Sequence, residues 1–271
     1  MENLAERLVR EISQSRKRIV VIGDAITDRW VYGHVEPSQD GCQKFVQEHA
    51  YITPGGAANA HNCLTHWKVN ADLFALAEVD RPVKTRFLTA DGKITFRWDD
   101  ETMRVQPGKW MYDAALEMVG CASGVLLSDY DKGFLSLEFI RQVADLCNMR
   151  GISCVADCKR GPEAYRGCIM KGNRDYCRKY GGLAVCTYGE GVPEVDGEFV
   201  HLNLSPVNCV NHVGAGDCFA AHLVLALSFG FPLKEAATLA HSAGRIYAQH
   251  PRNRAPYPAE VAADLSTSTS T

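Results

Sequence analysis

Apolar and polar positions alternate along this chain in two rhythms. Short, dense apolar runs read as buried strands: "RIVVIGD" (Arg18 to Asp24), "ADLFAL", "GVLLSDYD", "ISCVADC", "GCIMKGN" and "LAVCTYG". Longer segments read as helices: "MENLAERLVREISQSRKR", which is amphipathic, "LSLEFIRQVADLCNMRG" closed by Gly151, Gly214 to Phe229, and Leu233 to His250. "WVYGHV" and "KFVQEHAYIT" have strand-like composition, and "TPGGAANAHNCLTHWK" is a glycine-rich helix entry. Two hairpins are predicted, one turning at Asp91-Gly92 in "VKTRFLTADGKITFRWDDE" and one at Asp196-Gly197 in "VPEVDGEFVHLN". A short helical segment separates "GCIMKGN" from "LAVCTYG", the two long helices end the fold, and the "STSTST" tail, residues 266–271, reads as disordered.

Buried strands alternating with helices predict an α/β fold whose mostly parallel sheet is covered on both faces. Ligands in such sheets sit at the carboxyl ends of the strands, where this chain gathers Gly23-Asp24, Ser128-Asp129, Asp157 and Thr187-Tyr188-Gly189. At 271 residues, 46% hydrophobic and 23% charged, the composition is that of a globular domain, and a formal net charge of −3 with interspersed signs gives no nucleic-acid surface. No apolar stretch is long enough to span a bilayer, and no export signal is visible. The 11 cysteines are scattered, without zinc-type spacing, and read as reduced thiols of a cytoplasmic protein.

The candidate chemistry begins at "NHVGAGDCFAAHL". A helix start offers unpaired N–H groups and attracts anions. Gly214 and Gly216 let a phosphate approach the backbone, and Asp217 lies close to wherever that anion lands. Asp217 can be a base that takes a proton from a hydroxyl attacking phosphorus; equally, the segment can be a helix cap with glycines for close packing. "GDAITD" (Gly23 to Asp28) places two carboxylates past a core strand, and "PGGAAN" (Pro54 to Asn59) is a second glycine-rich helix entry. There is no GxxxxGK[ST] run and no protein-kinase glycine loop with an HRD-type partner, so phosphate chemistry must use another scaffold.

"PGGAAN", "GAGD" and "GDAITD" in this order resemble the signatures of the ribokinase-like pfkB family of carbohydrate kinases. "GDAITDRWVYG", "PVKTRFL…FRWDDE", "LLSDYDKGFL" and "ADCKRGPEAYRG" are similar to the members that phosphorylate D-glycero-D-manno-heptose 7-phosphate at its anomeric hydroxyl. The resemblance runs from about Arg18 to Leu265. It implies a single three-layer kinase domain over 1–271 with a small β lid formed by about 30–53 and 83–101, and it leaves no room for the adenylyltransferase domain that follows some of these kinases. Carried over by position, it makes Asp217 the catalytic base and Gly214, Ala215 and Gly216 the anion hole. Asp28, Gly55, Gly56 and Asn59 would hold the sugar, with Arg97, Asp129 and Lys132 on the substrate side. Asn173, Arg174, Asp175, Tyr176, Thr187, Gly189 and Glu190 would lie on the nucleotide side. ATP and Mg²⁺ are the implied cofactors, a sugar or sugar phosphate the partner, and a homodimer through the lid the implied assembly, without nucleic acid or membrane.

The chain also departs from the family. It is trimmed at "LFALAEVDRPVKTRF" and "KGNRDYCRKYGGLAVCTYG", and it carries Tyr176 where an acid is usual and Asn211 where Asp is usual. Its "VEPSQDGCQKFV" segment lacks the Arg and Pro-Val run of the heptose kinases. Another sugar or nucleoside acceptor, or a non-catalytic sugar- or nucleotide-binding descendant, stays open at the level of sequence.

Overall fold

The computed structural model describes residues 2–101, 107–189, 191–200, 202 and 207–267. The chain begins with α1 (Leu4–Ser13), whose Asn3 cap accepts from the N–H of Glu6 while the Glu6 side chain accepts from that of Asn3. There follow β1 (Arg18–Gly23), β2 (Ala25–Pro37), β3 (Gln43–Gly56), α2 (Ala57–Thr65), β4 (Asn70–Phe74), β5 (Val83–Leu88) and β6 (Ile94–Asp100). Then come α3 (Lys109–Gly120), β7 (Gly124–Ser128), α4 (Leu137–Arg150), β8 (Ser153–Asp157), β9 (Ile169–Asn173), α5 (Arg174–Tyr180) and β10 (Val185–Tyr188). The chain closes with β11 (Gly191–Val195), β12 (Glu198–Phe199), α6 (Ala215–Ser228), α7 (Leu233–Ala248) and α8 (Pro258–Thr267).

An eight-stranded sheet in the order β12-β11-β10-β9-β8-β7-β1-β4 forms the middle layer. Its pairs from β10 to β4 are parallel, and β11 and β12 add an antiparallel edge. Side chains alternate between two cores, as the pleat requires. Ile19 and Val21 of β1 pack with α1, α2, α6, α7 and α8, whereas Val20 and Ile22 pack with α3 and α4. The fold is therefore α/β in three layers, as expected. Helix α6 is apolar nearly all round because it lies within its layer, with α2 and α7 against it and strands β7 and β8 beneath.

A separate sheet, β3-β2-β5-β6, pairs two antiparallel hairpins through a parallel β2–β5 seam. Its strands run deeper than the 30–53 expected for the lid. β2 starts at Ala25 and β3 continues to Gly56, so this sheet grows directly out of β1 and leads directly into α2. At the junction Gly56 has φ 55°, and a Cβ there would run into the Asp24 carbonyl.

The structure corrects several expectations. Helix α3 is not predicted by the hydrophobic pattern, because the apolar positions of "KWMYDAALEMVG" do not separate cleanly from its polar ones. "ADLFAL" forms β4, a half-buried edge strand and not a central one. A third helix follows α7, and it takes in Ser266 and Thr267 of the expected disordered tail. Ser266 accepts a hydrogen bond from Asn3 that helps dock α8 on α1; the remainder of that tail lies outside the described residues. The cysteines are not all free thiols, since Cys177 of α5 and Cys186 of β10 form a disulfide.

Asp24, at the turn from β1 into β2, accepts from the N–H groups of Tyr130 (2.8 Å), Lys132 (3.1 Å) and Phe134 (3.2 Å). It is 3% exposed, so the donors it serves have no ready substitute. Asp24→Ala is expected to lower unfolding free energy by about 3 kcal/mol, with Asp24→Asn intermediate, in urea titration followed by circular dichroism.

Candidate active site

The carboxyl ends of β1, β7, β8 and β9 and the start of α6 converge on one carboxylate. Asp217 is 3% exposed. Its Oδ2 accepts from Asn59 Nδ2 at 3.1 Å, and its Oδ1 accepts from the Tyr130 hydroxyl at 2.6 Å. Burial pushes its pKa up from 3.8 to about 6; the Tyr130 bond opposes that rise, the negative Asp157 adds to it, and Asn59 and Lys171 oppose it. The residue is thus neither a solvated helix cap nor a group lost in apolar packing.

Asn59 is the hub on the other side. Its Nδ2 also donates to the Gly214 carbonyl at 3.1 Å, and its Oδ1 accepts from Tyr247 at 3.1 Å. Its polar atoms thus tie α2 to α6 and α7. Gly214 has φ 86°, and a Cβ there would lie 2.5 Å from the Tyr247 hydroxyl and 2.6 Å from Asn59 Nδ2. No other residue fits that turn. Ala215 N–H is already engaged, donating to the His212 carbonyl at 3.2 Å. Of the expected Gly214, Ala215 and Gly216, the Ala215 N–H is therefore the one already spoken for at this helix start.

Beneath α6 lies a buried ion pair that the sequence reading missed. Lys171 of β9 bonds Asp157 of β8 at 3.1 Å and donates to the Gly216 carbonyl at 3.3 Å. A lysine inside the apolar strand "CIMKGN" was the available signal, because a buried ammonium needs such partners. Tyr130 was missed for another reason. It stands beside Asp129, and which of two neighbours faces the cleft is fixed by the loop, not by the residue types.

The lid contributes Asp28, which is 5% exposed and paired with Arg86 at 2.5 Å. The Arg86 guanidinium also lies 4.8 Å over the Trp30 ring. Gly55 leaves the space in which the Asp28 carboxylate sits. Arg97 on β6 grips Asp99 with two hydrogen bonds of 2.7 and 2.5 Å. Lys132 reaches Glu101 at 2.5 Å. Lys84, which the sequence reading passed over, has its pKa lowered by burial and then by the nearby Arg97 and Lys132. Three cations therefore gather at the edge of the lid.

Other expected residues are placed differently. Asp129 is fully enclosed: it accepts from Tyr165 at 2.7 Å and from Asp131 N–H at 2.8 Å, so it supports the loop and does not face a ligand. Asn173 caps α5 through the Tyr176 N–H at 2.9 Å. Tyr176 points inward, with its hydroxyl on the Arg160 carbonyl at 2.5 Å. Arg174 and Asp175 are exposed on α5, and Arg174 donates to the Tyr188 carbonyl at 3.3 Å. Thr187 donates to the Gly172 carbonyl at 3.2 Å, and Gly189 turns at φ 67°. These residues line the ends of β9 and β10, farther along the sheet from Asp217. Glu190 lies outside the described residues. Among the described residues no three His, Cys, Asp or Glu side chains are grouped to hold a metal ion, and no helix is long and apolar enough to cross a membrane.

Because the folded pKa of Asp217 lies above its ordinary value, its protonated form favours the native state. That contribution is complete below pH 3.8 and is lost as pH rises through about 6. Wild-type stability minus that of Asp217→Asn is expected to fall by about 2–3 kcal/mol over this window. Urea titrations at stepped pH would measure it, and a flat difference would rule out the raised value.

Comparison with known proteins agrees with this architecture. Residues 184–260 match the pfkB family carbohydrate kinase profile. Bifunctional protein HldE of Acidiphilium cryptum is 25% identical over 293 residues, covering 86% of this chain and 60% of its own. The HldE of Granulibacter bethesdensis is 31% identical over 180 residues, or 54% and 36%. The chain spans at most about 60% of the length of these relatives. Among solved structures, Arabidopsis thaliana ribokinase complexed with ribose and ATP superposes with a TM-score of 0.70 at 18% identity, over 93% of this chain and 99% of that one. Escherichia coli phosphofructokinase-2 in complex with potassium gives 0.67 at 16% identity, over 93% and 99%. The chain therefore has a ribokinase-like fold, and its residues 184–260 carry the signature of the pfkB family carbohydrate kinases.

Proposed function

We propose that this protein is a sugar kinase that transfers the γ-phosphoryl group of ATP, supplied as its Mg²⁺ complex, to a sugar or sugar-phosphate hydroxyl. The observation that carries this reading is the ionisable carboxylate of Asp217, buried at the start of α6 and held by Asn59 and Tyr130. Asp217 accepts the proton of the attacking hydroxyl. The N–H groups of the first turn of α6 face the charge that develops on the transferred phosphoryl group. Asp28, fixed by Arg86, orients the acceptor from the lid side, and the lid sheet excludes water. Mg²⁺ enters on the nucleotide phosphates, as this ion commonly does, so no carboxylate cage is needed.

The acceptor we favour is D-glycero-D-manno-heptose 7-phosphate, phosphorylated at its anomeric position. Its support is the sequence resemblance of the "GDAITDRWVYG", "LLSDYDKGFL" and "ADCKRGPEAYRG" segments. The cations Lys84, Arg97 and Lys132 at the lid edge favour an acceptor that already carries a phosphate over a free sugar. On the opposite side, nucleotide contacts are assigned to Asn173, Arg174, Asp175, Thr187 and Gly189. A homodimer through the lid is the proposed assembly, supported by the exposure of Ile52, Ile94, Phe96 and Trp98 on β3 and β6.

A coupled ADP-release screen over free and phosphorylated sugars tests the reading. Asp217→Asn is expected to reduce kcat by about 10³-fold while ATP affinity by calorimetry stays close to wild type. On the acid side, kcat/KM should rise with pH through about 6, as the carboxylate ionises. Turnover retained in Asp217→Asn would exclude it as the base. Binding of sugar and ATP without ADP release would identify a non-catalytic descendant.

A further inference from the structure

Tyr130 does not itself move a proton in the transfer step just described, yet its hydroxyl makes the shortest contact to Asp217, 2.6 Å to Oδ1. Chemically this is an O–H donor on a carboxylate oxygen, the same bond an attacking alcohol must make before it loses its proton. The other oxygen is committed to Asn59, so Oδ1 is the one available for proton transfer. Tyr130 is also held for this purpose. Its N–H is bound by Asp24 at 2.8 Å, and the next residue, Asp131, turns through φ 54°. Two ammonium groups lie over its ring, Lys84 at 5.3 Å and Lys159 at 5.0 Å.

We propose that Tyr130 is a positioning residue that caps the proton-accepting oxygen of Asp217 against water, and that the acceptor alcohol takes over its hydrogen bond. The inference rests on the kinase reading above. Burial and the neighbouring carboxylates of Asp217, Asp157 and Asp28 keep the phenol a donor, so it does not compete for the proton. Lys84 and Lys159 explain how the cap is released. A cation over a ring is a weak contact compared with an ammonium on a phosphate oxygen. A phosphate-bearing acceptor would draw both lysines from the ring and free the hydroxyl to leave Asp217. Water carries no such charge and leaves the cap in place.

Tyr130→Phe removes the hydroxyl and keeps the ring under both lysines. The groups that set the Asp217 titration are Tyr130 after β7, Asn59 of α2, Asp157 of β8 and Lys171 of β9, with Tyr247 of α7 nearby; only the first changes in the variant. Carboxyl ¹³C NMR is expected to show the Asp217 midpoint raised by about one pH unit, since a bond favouring the charged form is lost. ADP release from MgATP without acceptor is expected to rise several-fold over wild type. An unchanged midpoint would mean that the hydroxyl does not occupy Asp217 in solution, and unchanged acceptor-free hydrolysis would mean that it does not shield the base; either overturns the proposal. If wild type transfers phosphate to no acceptor, the kinase reading fails instead, and the midpoint alone still decides whether Tyr130 covers the carboxylate.

Discussion

A carboxylate that must be buried and yet able to ionise is the constraint around which this molecule is arranged. Removing Asp217 from water disfavours its charge, and the hydrogen bonds of Asn59 and Tyr130 and the ammonium of Lys171 restore part of what burial takes away. Each partner comes from a different element: α2, the loop after β7, and β9. The carboxylate therefore exists in its working state only when the central sheet and both flanking segments have assembled. Gly214 follows from the same demand, since Asn59 and Tyr247 occupy the space that any side chain would take. So does Asp24, which fixes the backbone from which Tyr130 reaches inward.

Much of this was legible in the residue types. Strands β1, β7, β8, β9 and β10 are short apolar runs with no competing helical reading, and the glycine-rich entries marked both helices that meet at the site. Legibility failed where tertiary context decides. Strand β4 lies at the edge, a matter of strand order that periodicity does not encode. Asp129 and Tyr130 are adjacent, and the turn after β7 sends the acid inward and the phenol toward Asp217. The lid bounds fell short because β2 and β3 stay paired all the way to their turns at Asp24 and Gly56.

Two replacements that looked like losses have local explanations. Tyr176 stands where the family has an acid, and it fills an inward pocket with its hydroxyl on the Arg160 carbonyl; it serves the packing of α5. Asn211 donates to Asn253 at 2.8 Å and accepts from the Val213 N–H at 3.0 Å. Asn253 in turn donates to Thr53, whose hydroxyl also accepts from Trp30. An aspartate at 211 has no N–H to place on the Asn253 oxygen, so the amide fits this bridge better than the acid would.

That bridge matters because it joins the lid to the loop that opens α6. The lid is fastened to the core at two further points: through Gly56, where β3 becomes α2 three residues before Asn59, and through Asp24, where β1 becomes β2. All three connections end on residues that position Asp217 or its partners. A displacement of the lid sheet therefore acts on the Asp217 carboxylate through Asn59, Tyr130 and the α6 turn together, without a separate relay between them. In such an arrangement the cover over the cleft and the ionisable group beneath it form one mechanical unit. The cation group on β5, β6 and the loop after β7 then becomes the natural handle by which a charged acceptor would move both.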